Sequence, residues 1–196
     1  MLILTSNGLS CADLIARATP YLTGKRCALV TTASVGFKEK DRHVPRLTEE
    51  LMQCCAASVE CFDFDEQTSG ELLSCNAAML IGGNPFYLLQ SIRKNGFADA
   101  LRTLSRSGTL IGVSAVSVVL TPSIAIIAQY TPEMNDAVGL GDFSGLSLFD
   151  QEILPHYSKF LTRFALFEER AQQYERKHGT KLLRISDGEA IFFGAE

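Results

Sequence analysis

A serine between a strand pattern and a helix pattern is the most informative residue of the sequence. Residues 110–113 are apolar, Ser114 follows them, and small residues continue to position 119. A turn of this kind raises a hydroxyl above the carboxyl edge of a parallel sheet, as in a nucleophile elbow. Gly112 suits the tight turn, whereas Val116 stands where a second glycine is usual. The pattern indicates a nucleophile at Ser114, and a serine that caps a buried helix is the alternative.

A serine hydroxyl becomes a good nucleophile only when a base lies within hydrogen-bond reach. The chain has three histidines. His43 lies among charged residues, and His178 stands at the end of a helix pattern, where a cation complements the helix dipole. His156 follows an apolar run and a proline, which favours a fixed, half-buried base. A histidine satisfied within the core is the alternative interpretation.

A glycine pair marks a second place where polar groups could converge. The apolar residues 77–81 lead into Gly82, Gly83 and Asn84, and a helix pattern begins at Pro85. Glycines at such a turn let backbone N–H groups point at an anion or a developing oxyanion. Gly82 and Asn84 are therefore candidates for substrate binding. A tight turn that requires positive φ is the alternative for this loop.

Taken together, these segments resemble the serine peptidase family of dipeptidase E and cyanophycinase. That family combines a Gly-Gly-Asn loop followed by Phe and a Leu-Leu pair, a Gly-x-Ser-Ala-Gly elbow and a later Pro-His-aromatic triplet. The corresponding positions here are residues 82–84, 86, 88–89, 112–115 and 155–157. Weaker agreement at residues 4–8, 31–34 and 187–191 extends the resemblance over nearly the whole chain.

The resemblance implies a three-layer α/β sandwich of the class I glutamine amidotransferase-like type, with a mostly parallel central sheet and helices on both faces. It implies that Ser114 attacks a peptide carbonyl, that His156 is the base, and that the amides of Gly83 and Ala115 form an oxyanion hole. The third member of the triad is a late acid, for which Asp187 aligns best and Glu189 competes. The implied substrates are short peptides, and no metal or cofactor is expected.

The sequence also departs from the family pattern. Val116 replaces the second elbow glycine, and the arginine with which aspartyl-specific members hold substrate has only Arg163 and Arg170 as candidates. Specificity for an N-terminal aspartate is therefore not implied. Two alternatives stay open: a catalytically impaired homologue that binds a small molecule or a partner, and an esterase or amidase of the α/β-hydrolase type. The second is disfavoured because that fold places its acid before its histidine.

The elements that must position these residues alternate along the first half of the chain. Strand patterns cover residues 2–5, 27–31, 59–64, 77–81 and 110–113, and helix patterns cover residues 11–21, 45–57 and 85–95. This alternation predicts parallel βαβ units within one domain, residues 1–196. Further along, residues 124–130 are strand-like, residues 160–177 form a helix pattern, and residues 181–185 and 190–193 predict a closing hairpin.

Composition limits the possible partners and compartment. The 196 residues are 46% hydrophobic and carry a formal net charge of −4, without a basic cluster. This balance argues against nucleic-acid and anionic-membrane partners. All six cysteines lie in the first 75 residues without a Cys-x-x-Cys pair, and no leader pattern precedes them. We therefore expect reduced thiols, a cytoplasmic location and a monomer or homodimer without a metal site.

Overall fold

The computed structural model describes residues 1–194. The strands in this range are β1 (Leu2–Thr5), β2 (Arg26–Val30), β3 (Ser58–Phe62), β4 (Ala77–Leu80), β5 (Thr109–Val113), β6 (Ile153–Leu154), β7 (Leu183–Arg184) and β8 (Ala190–Phe193). The α-helices are α1 (Ala12–Leu22), α2 (Val44–Gln53), α3 (Ser69–Leu73), α4 (Pro85–Asn95), α5 (Ala98–Ser107), α6 (Ala115–Val119), α7 (Ala125–Tyr130), α8 (Tyr157–Arg163) and α9 (Phe167–His178). Short 3₁₀ turns cover Lys38–Lys40 and Pro132–Asn135.

Six of the strands form one central sheet in the order β3-β2-β4-β5-β1-β8. The first five strands of this order are parallel, and β8 runs antiparallel to β1. Gly112 on β5 is in register with Leu4 on β1 and with Leu80 on β4. The carboxyl ends of β1, β4 and β5 therefore meet at one edge of the sheet, where open α/β folds bind their ligands.

Apolar layers cover both faces of the sheet. Consecutive residues of β5 point to opposite faces, so Leu110 joins one buried cluster and Ile111 joins the other. The first cluster includes apolar residues of α4 and α5, and the second includes residues of α1 and α2. These layers confirm the predicted α/β sandwich with a mostly parallel sheet.

The prediction of a strand over residues 124–130 is wrong, because this segment forms α7. Ile126, Ile127 and Tyr130 are its buried positions, and their spacing is that of one helix face. A short apolar run does not distinguish a buried strand from a buried helix, and here the helical alternative forms.

The predicted helix over residues 160–177 is interrupted. Phe164 has an extended backbone and Leu166 has φ 51°, so α8 ends before them and α9 begins at Phe167. The interruption brings Phe164 and Phe167 both against the ring of Tyr130, at centroid distances of 5.5 and 4.6 Å. Aromatic packing therefore accompanies the break in the helical pattern.

The predicted closing hairpin is also wrong. β7 pairs in parallel with β6 in a separate two-stranded sheet, and β8 pairs with β1 at the edge of the main sheet. A turn signal around Gly188 describes only local geometry, whereas β1 offers a full row of backbone partners to β8. The loop between β7 and β8 consequently crosses the carboxyl edge of the sheet beside Ser6.

None of the helices in residues 1–194 combines the length and the apolar character that crossing a lipid bilayer requires.

Candidate active site

Ser114 lies on a strained turn between β5 and α6. Its φ of 61° and ψ of −139° are unusual for a residue with a side chain, and such strain is common at functional positions. The turn is tight because a Cβ at Gly112 would lie 2.8 Å from Ser117 Cα. The geometry is that of an elbow that holds the Ser114 hydroxyl above the end of the sheet.

Val116 does not prevent this turn from forming. Its side chain is fully buried in the apolar cluster that covers one face of the sheet. The close approach within the elbow instead joins Gly112 to Ser117, which leaves room for a branched side chain at position 116.

His156 lies directly against the serine. Its Nε2 is 2.7 Å from Ser114 Oγ, although the two residues are 42 positions apart in the sequence. The backbone of His156 is left-handed, with φ 57° and ψ 29°, between β6 and α8. The ring packs on Phe160 at a centroid distance of 5.1 Å, and its side chain is 14% exposed. The imidazole is therefore a half-buried group in reach of the hydroxyl proton.

Of the two late acids, Asp187 contacts the histidine. Asp187 Oδ1 is 2.5 Å from His156 Nδ1. The Glu189 carboxylate instead accepts the backbone N–H of Ser186 at 2.7 Å and so stabilises the turn that carries Asp187. The two carboxylates therefore have different partners, and only that of Asp187 contacts the imidazole within the described residues.

Ser6 joins this group, although no pattern of residue types in the sequence marks it as a site residue. Its buried hydroxyl donates to Asp187 Oδ1 at 2.7 Å and accepts the backbone N–H of His156 at 2.8 Å. Because it follows the last residue of β1, it lies at the same sheet edge as Ser114. Ser6 therefore links the backbone of the histidine to the carboxylate that orients its ring.

The protonation states of His156 and Asp187 follow from their burial and their hydrogen bonds. Burial lowers the pKa of His156 below its ordinary value of 6.5, and the hydrogen bond and charge of Asp187 partly oppose this effect. Burial alone would raise the pKa of Asp187, but hydrogen bonds from Ser6 and His156 outweigh it and lower that pKa. At neutral pH the imidazole is neutral and the carboxylate is charged, as a general base and its orienting acid require.

Two backbone N–H groups beside the serine have no hydrogen-bond acceptor within the described residues. Within residues 1–194, neither Gly83 N–H nor Ala115 N–H donates a hydrogen bond to another residue. Gly83 has φ 151°, and a Cβ there would lie 2.2 Å from the Ala33 carbonyl oxygen, so this loop requires glycine. A Cβ at Gly82 would lie 3.2 Å from Ser114 Cβ, which brings that glycine against the serine.

Asn84 lies next to this loop, but its side chain is engaged elsewhere. Its Oδ1 accepts the N–H groups of Phe86 and Tyr87 at the start of α4, and its Nδ2 donates to the Met134 carbonyl. Asn84 is thus the N-cap of α4. Its side chain fixes the glycine loop and does not line a cavity beside Ser114.

Two cavities meet at Ser114, Gly83 and His156. The wide cleft has a volume of about 580 Å³, and its charged lining includes Asp41, Arg42 and Lys159. The apolar pocket has a volume of about 200 Å³ and is lined mainly by aliphatic and aromatic side chains. Ser114 and His156 therefore lie between a cleft with charged side chains in its lining and a smaller apolar pocket.

The remaining sequence candidates lie at different distances from the serine. Arg163 lines the apolar pocket, whereas the Arg170 guanidinium stacks over the Tyr130 ring at 4.8 Å. His43 lines the wide cleft and accepts a hydrogen bond from its neighbour Arg42, and His178 stacks on a tyrosine of α9. Among the three histidines, the structure brings only His156 to Ser114.

Comparison with known proteins shows the family of the chain. The model of peptidase family S51 matches residues 2–196. An uncharacterized peptidase of Listeria monocytogenes is 30% identical over 198 residues, covering 97% of this chain and 93% of the relative. An uncharacterized peptidase of Pasteurella multocida is 35% identical over 80 residues, covering 40% of this chain and 38% of that protein.

Solved structures show the same similarity in three dimensions. A crystal structure from Listeria monocytogenes, provisionally identified as a peptidase E, matches with a TM-score of 0.74 and 29% identity. The match covers 100% of this chain and 95% of that one. A peptidase from an acI-B1 actinobacterium shares the fold, with a TM-score of 0.70 and 16% identity over 96% of this chain and 81% of that one. Since the family match spans almost the whole chain, the chain belongs to peptidase family S51 and is a peptidase.

Proposed function

We propose that the chain is a serine peptidase that hydrolyses short peptides through an acyl-enzyme, with Ser114, His156 and Asp187 as its catalytic triad. The observation that carries the proposal is an unbroken line of contacts. Ser114 Oγ is 2.7 Å from one ring nitrogen of His156, and Asp187 Oδ1 is 2.5 Å from the other. A nucleophile, a base and an orienting acid are thereby connected in the order that acyl transfer needs.

In the acylation step, Ser114 Oγ attacks the peptide carbonyl carbon while His156 Nε2 takes the hydroxyl proton. The carbonyl oxygen becomes negative and accepts the N–H groups of Gly83 and Ala115, which have no acceptor within residues 1–194. Preorganised donors of this kind are typically worth about 10²–10³ in rate each. His156 then gives its proton to the amine nitrogen, and the C–N bond breaks.

In the deacylation step, water attacks the Ser114 ester and His156 takes the proton of that water. The ester C–O bond breaks, the acid product leaves, and Oγ recovers its proton from His156. Asp187 keeps the Nδ1 proton facing itself throughout, so that Nε2 is free to accept. Its lowered pKa supports this role, since the carboxylate stays charged at neutral pH.

Short peptides fit the charges of the wide cleft. Arg42 and Lys159 line it, and within residues 1–194 neither forms an ion pair with a carboxylate. A free terminal carboxylate close to the scissile bond would meet these cations, whereas the middle of a long chain would bring no such charge. This complementarity supports peptides of a few residues as substrates.

The alternative of a catalytically impaired binding protein depended on Val116. That side chain is buried in the core and the elbow keeps the backbone angles of an exposed nucleophile, so no specific observation favours this alternative.

A fluorophosphonate probe tests the proposal directly. The probe should label the protein on the peptide that contains Ser114, and Ser114→Ala should abolish labelling. Ser74→Ala is the matched control, because Ser74 lines neither cavity beside Ser114 and its hydroxyl donates to the Glu71 carbonyl. Asp187→Asn should keep the fold and lower kcat on a cleavable dipeptide by about 10⁴. Folded protein that stays unlabelled would contradict the proposal.

A further inference from the structure

The apolar pocket adjoins every group that would act on the acyl part of a substrate. Ser114, Gly83, Ala115 and His156 all contribute to its lining, and its volume is about 200 Å³. Pockets that hold whole drug-sized molecules are usually 300–1,000 Å³, so this one suits a single side chain. Ala115 lines this pocket and is absent from the lining of the wide cleft.

The walls of the pocket are apolar. They are formed by Ile127, Tyr130, Met134, Leu154, Phe160 and Phe164. The polar atoms within these walls are already satisfied, since the Tyr130 hydroxyl donates to the Phe167 carbonyl at 2.8 Å and the Thr131 hydroxyl donates to the Ile127 carbonyl at 3.4 Å. A carboxylate entering between these walls would lose its water without gaining hydrogen bonds, which is costly.

One cation lies at this pocket. In the described part of the chain, Arg163 is the charged residue of the lining apart from the titratable His156. Its guanidinium carbon lies 5.5 Å from the Phe160 ring centre and 5.4 Å from that of Phe164, and the residue is exposed to solvent. The guanidinium therefore covers the faces of two rings at the surface, and water screens its attraction for an anion.

The sizes of the two cavities indicate which one holds the leaving fragment of a substrate and which one holds its acyl residue. The leaving fragment must depart while the acyl group stays bound to Ser114, and the wide cleft of about 580 Å³ offers that exit. Lys159 in that cleft can also meet the carboxylate of the leaving fragment. The smaller pocket then remains for the side chain of the acylating residue.

We infer that the apolar pocket selects the residue on the acyl side of the scissile bond and that it takes a leucine, methionine or phenylalanine side chain in preference to aspartate. The inference rests on the proposed function, because it places the acyl group on Ser114. Leucine and aspartate side chains are similar in size, so the cost of burying the aspartate carboxylate without hydrogen bonds decides between them. Leucine should therefore exceed aspartate by at least tenfold.

Amino-acid phosphonates measure this preference without requiring turnover. Diphenyl α-aminoalkylphosphonates that carry the leucine, phenylalanine or aspartate side chain react when Ser114 Oγ attacks phosphorus. The O–P bond forms, one P–O bond to phenol breaks, and the phenol leaves with a proton supplied by His156. The leucine and phenylalanine compounds should inactivate the protein at least tenfold faster than the aspartate compound.

The outcomes separate the inference from the proposed function. Inactivation that is fastest or equally fast with the aspartate compound, or absent with all three while a fluorophosphonate still labels Ser114, would overturn the inference alone. Absence of labelling by the fluorophosphonate as well would overturn the proposed function and the inference with it.

A charge placed in the pocket provides the matched comparison. Met134→Lys puts an ammonium into the apolar wall, so the leucine-to-aspartate ratio of inactivation rates should fall at least tenfold. Met52→Lys introduces the same change at a 45% exposed position on α2 and should leave the ratio as it is. An unchanged ratio in folded Met134→Lys would count against the assignment, and the wild-type ratios remain decisive if that variant does not fold.

Discussion

At the residue scale, the burial of His156 governs how activity depends on pH. Its pKa lies below 6.5, so the imidazolium loses its proton and becomes a base as the pH rises through a mildly acid range. We expect kcat/KM to rise with pH, to reach half its plateau below pH 6.5, and to stay level through neutrality. A half-maximum above that value in a pH–rate profile would contradict this expectation.

Lys159 provides a second test of the same pKa. Its positive charge lowers the pKa of His156. This effect is smaller than that of burial, and it opposes the effect of Asp187, which raises the pKa. Lys159→Met removes this repulsion of the imidazolium, so the acid limb of kcat/KM should move to higher pH. Lys177→Met, an exposed change on α9, serves as the control and should leave the limb where it is.

Ser6 is expected to act as a positioning residue. Hydrogen bonds to charged groups contribute about 1.5–3 kcal/mol. Ser6→Ala loses its bond to Asp187 and its bond to the His156 backbone, so kcat should fall roughly ten- to hundredfold. The steady-state kcat and the rate of fluorophosphonate labelling should fall together. Ser74→Ala, which removes a hydrogen bond to the Glu71 carbonyl far from the site, should change neither.

The residues of the site differ in how far sequence alone could identify them. Ser114 and His156 stand out because their types and immediate neighbours are unusual. Ser6 does not, because its role depends on contacts with residues 150 and 181 positions away. The loop pattern predicts Asn84 as a substrate ligand, but an asparagine before Pro85 is also a strong helix cap, and the structure shows the cap.

At the element scale, the turn between β5 and α6 depends on the absence of a side chain at position 112. Gly112→Ala would place its Cβ 2.8 Å from Ser117 Cα, so α6 must shift and carry the elbow with it. A displacement of about 1 Å at a reacting group can cost 10²-fold in rate. We expect at least that loss in fluorophosphonate labelling, with the secondary structure preserved by circular dichroism.

Gly141→Ala is the matched control for this change. A Cβ at Gly141 meets no atom within 4 Å, so labelling should match the wild type. Equal labelling rates for Gly112→Ala and Gly141→Ala would show that the elbow does not need its close approach to Ser117.

The elements themselves were predictable where local pattern and tertiary packing agree. β1, β2, β4 and β5 are short buried runs in which nearly every residue is apolar, and their pairing follows from the alternation with helices. β8 was paired wrongly because its partner β1 lies at the other end of the described chain. The helix α5 was missed even though Leu101 and Leu104 share its buried face, a spacing that periodicity could have revealed.

At the scale of the whole molecule, the sheet is buried between two apolar layers, and stability should depend on both. Ile111 is fully buried in the middle of β5 and packs on the side of α1 and α2. Ile111→Ala should lower the free energy of unfolding in urea by about 2–5 kcal/mol. Met52→Ala at a 45% exposed position should change it by less than about 0.5 kcal/mol. Similar values for both variants would contradict the assigned packing.

The loop that bears Asp187 determines how late during synthesis the complete site can form. Its position depends on Ser6, on a hydrogen bond from Gly188 N–H to Asn7, and on the union of β8 with β1. These contacts join a segment synthesised late to one synthesised early, so the position of Asp187 is fixed only after both segments have been made. Under the proposed function, a nascent chain that contains Ser114 and His156 but not yet Asp187 lacks its orienting acid, so its rate should stay about 10⁴ lower until β8 pairs with β1.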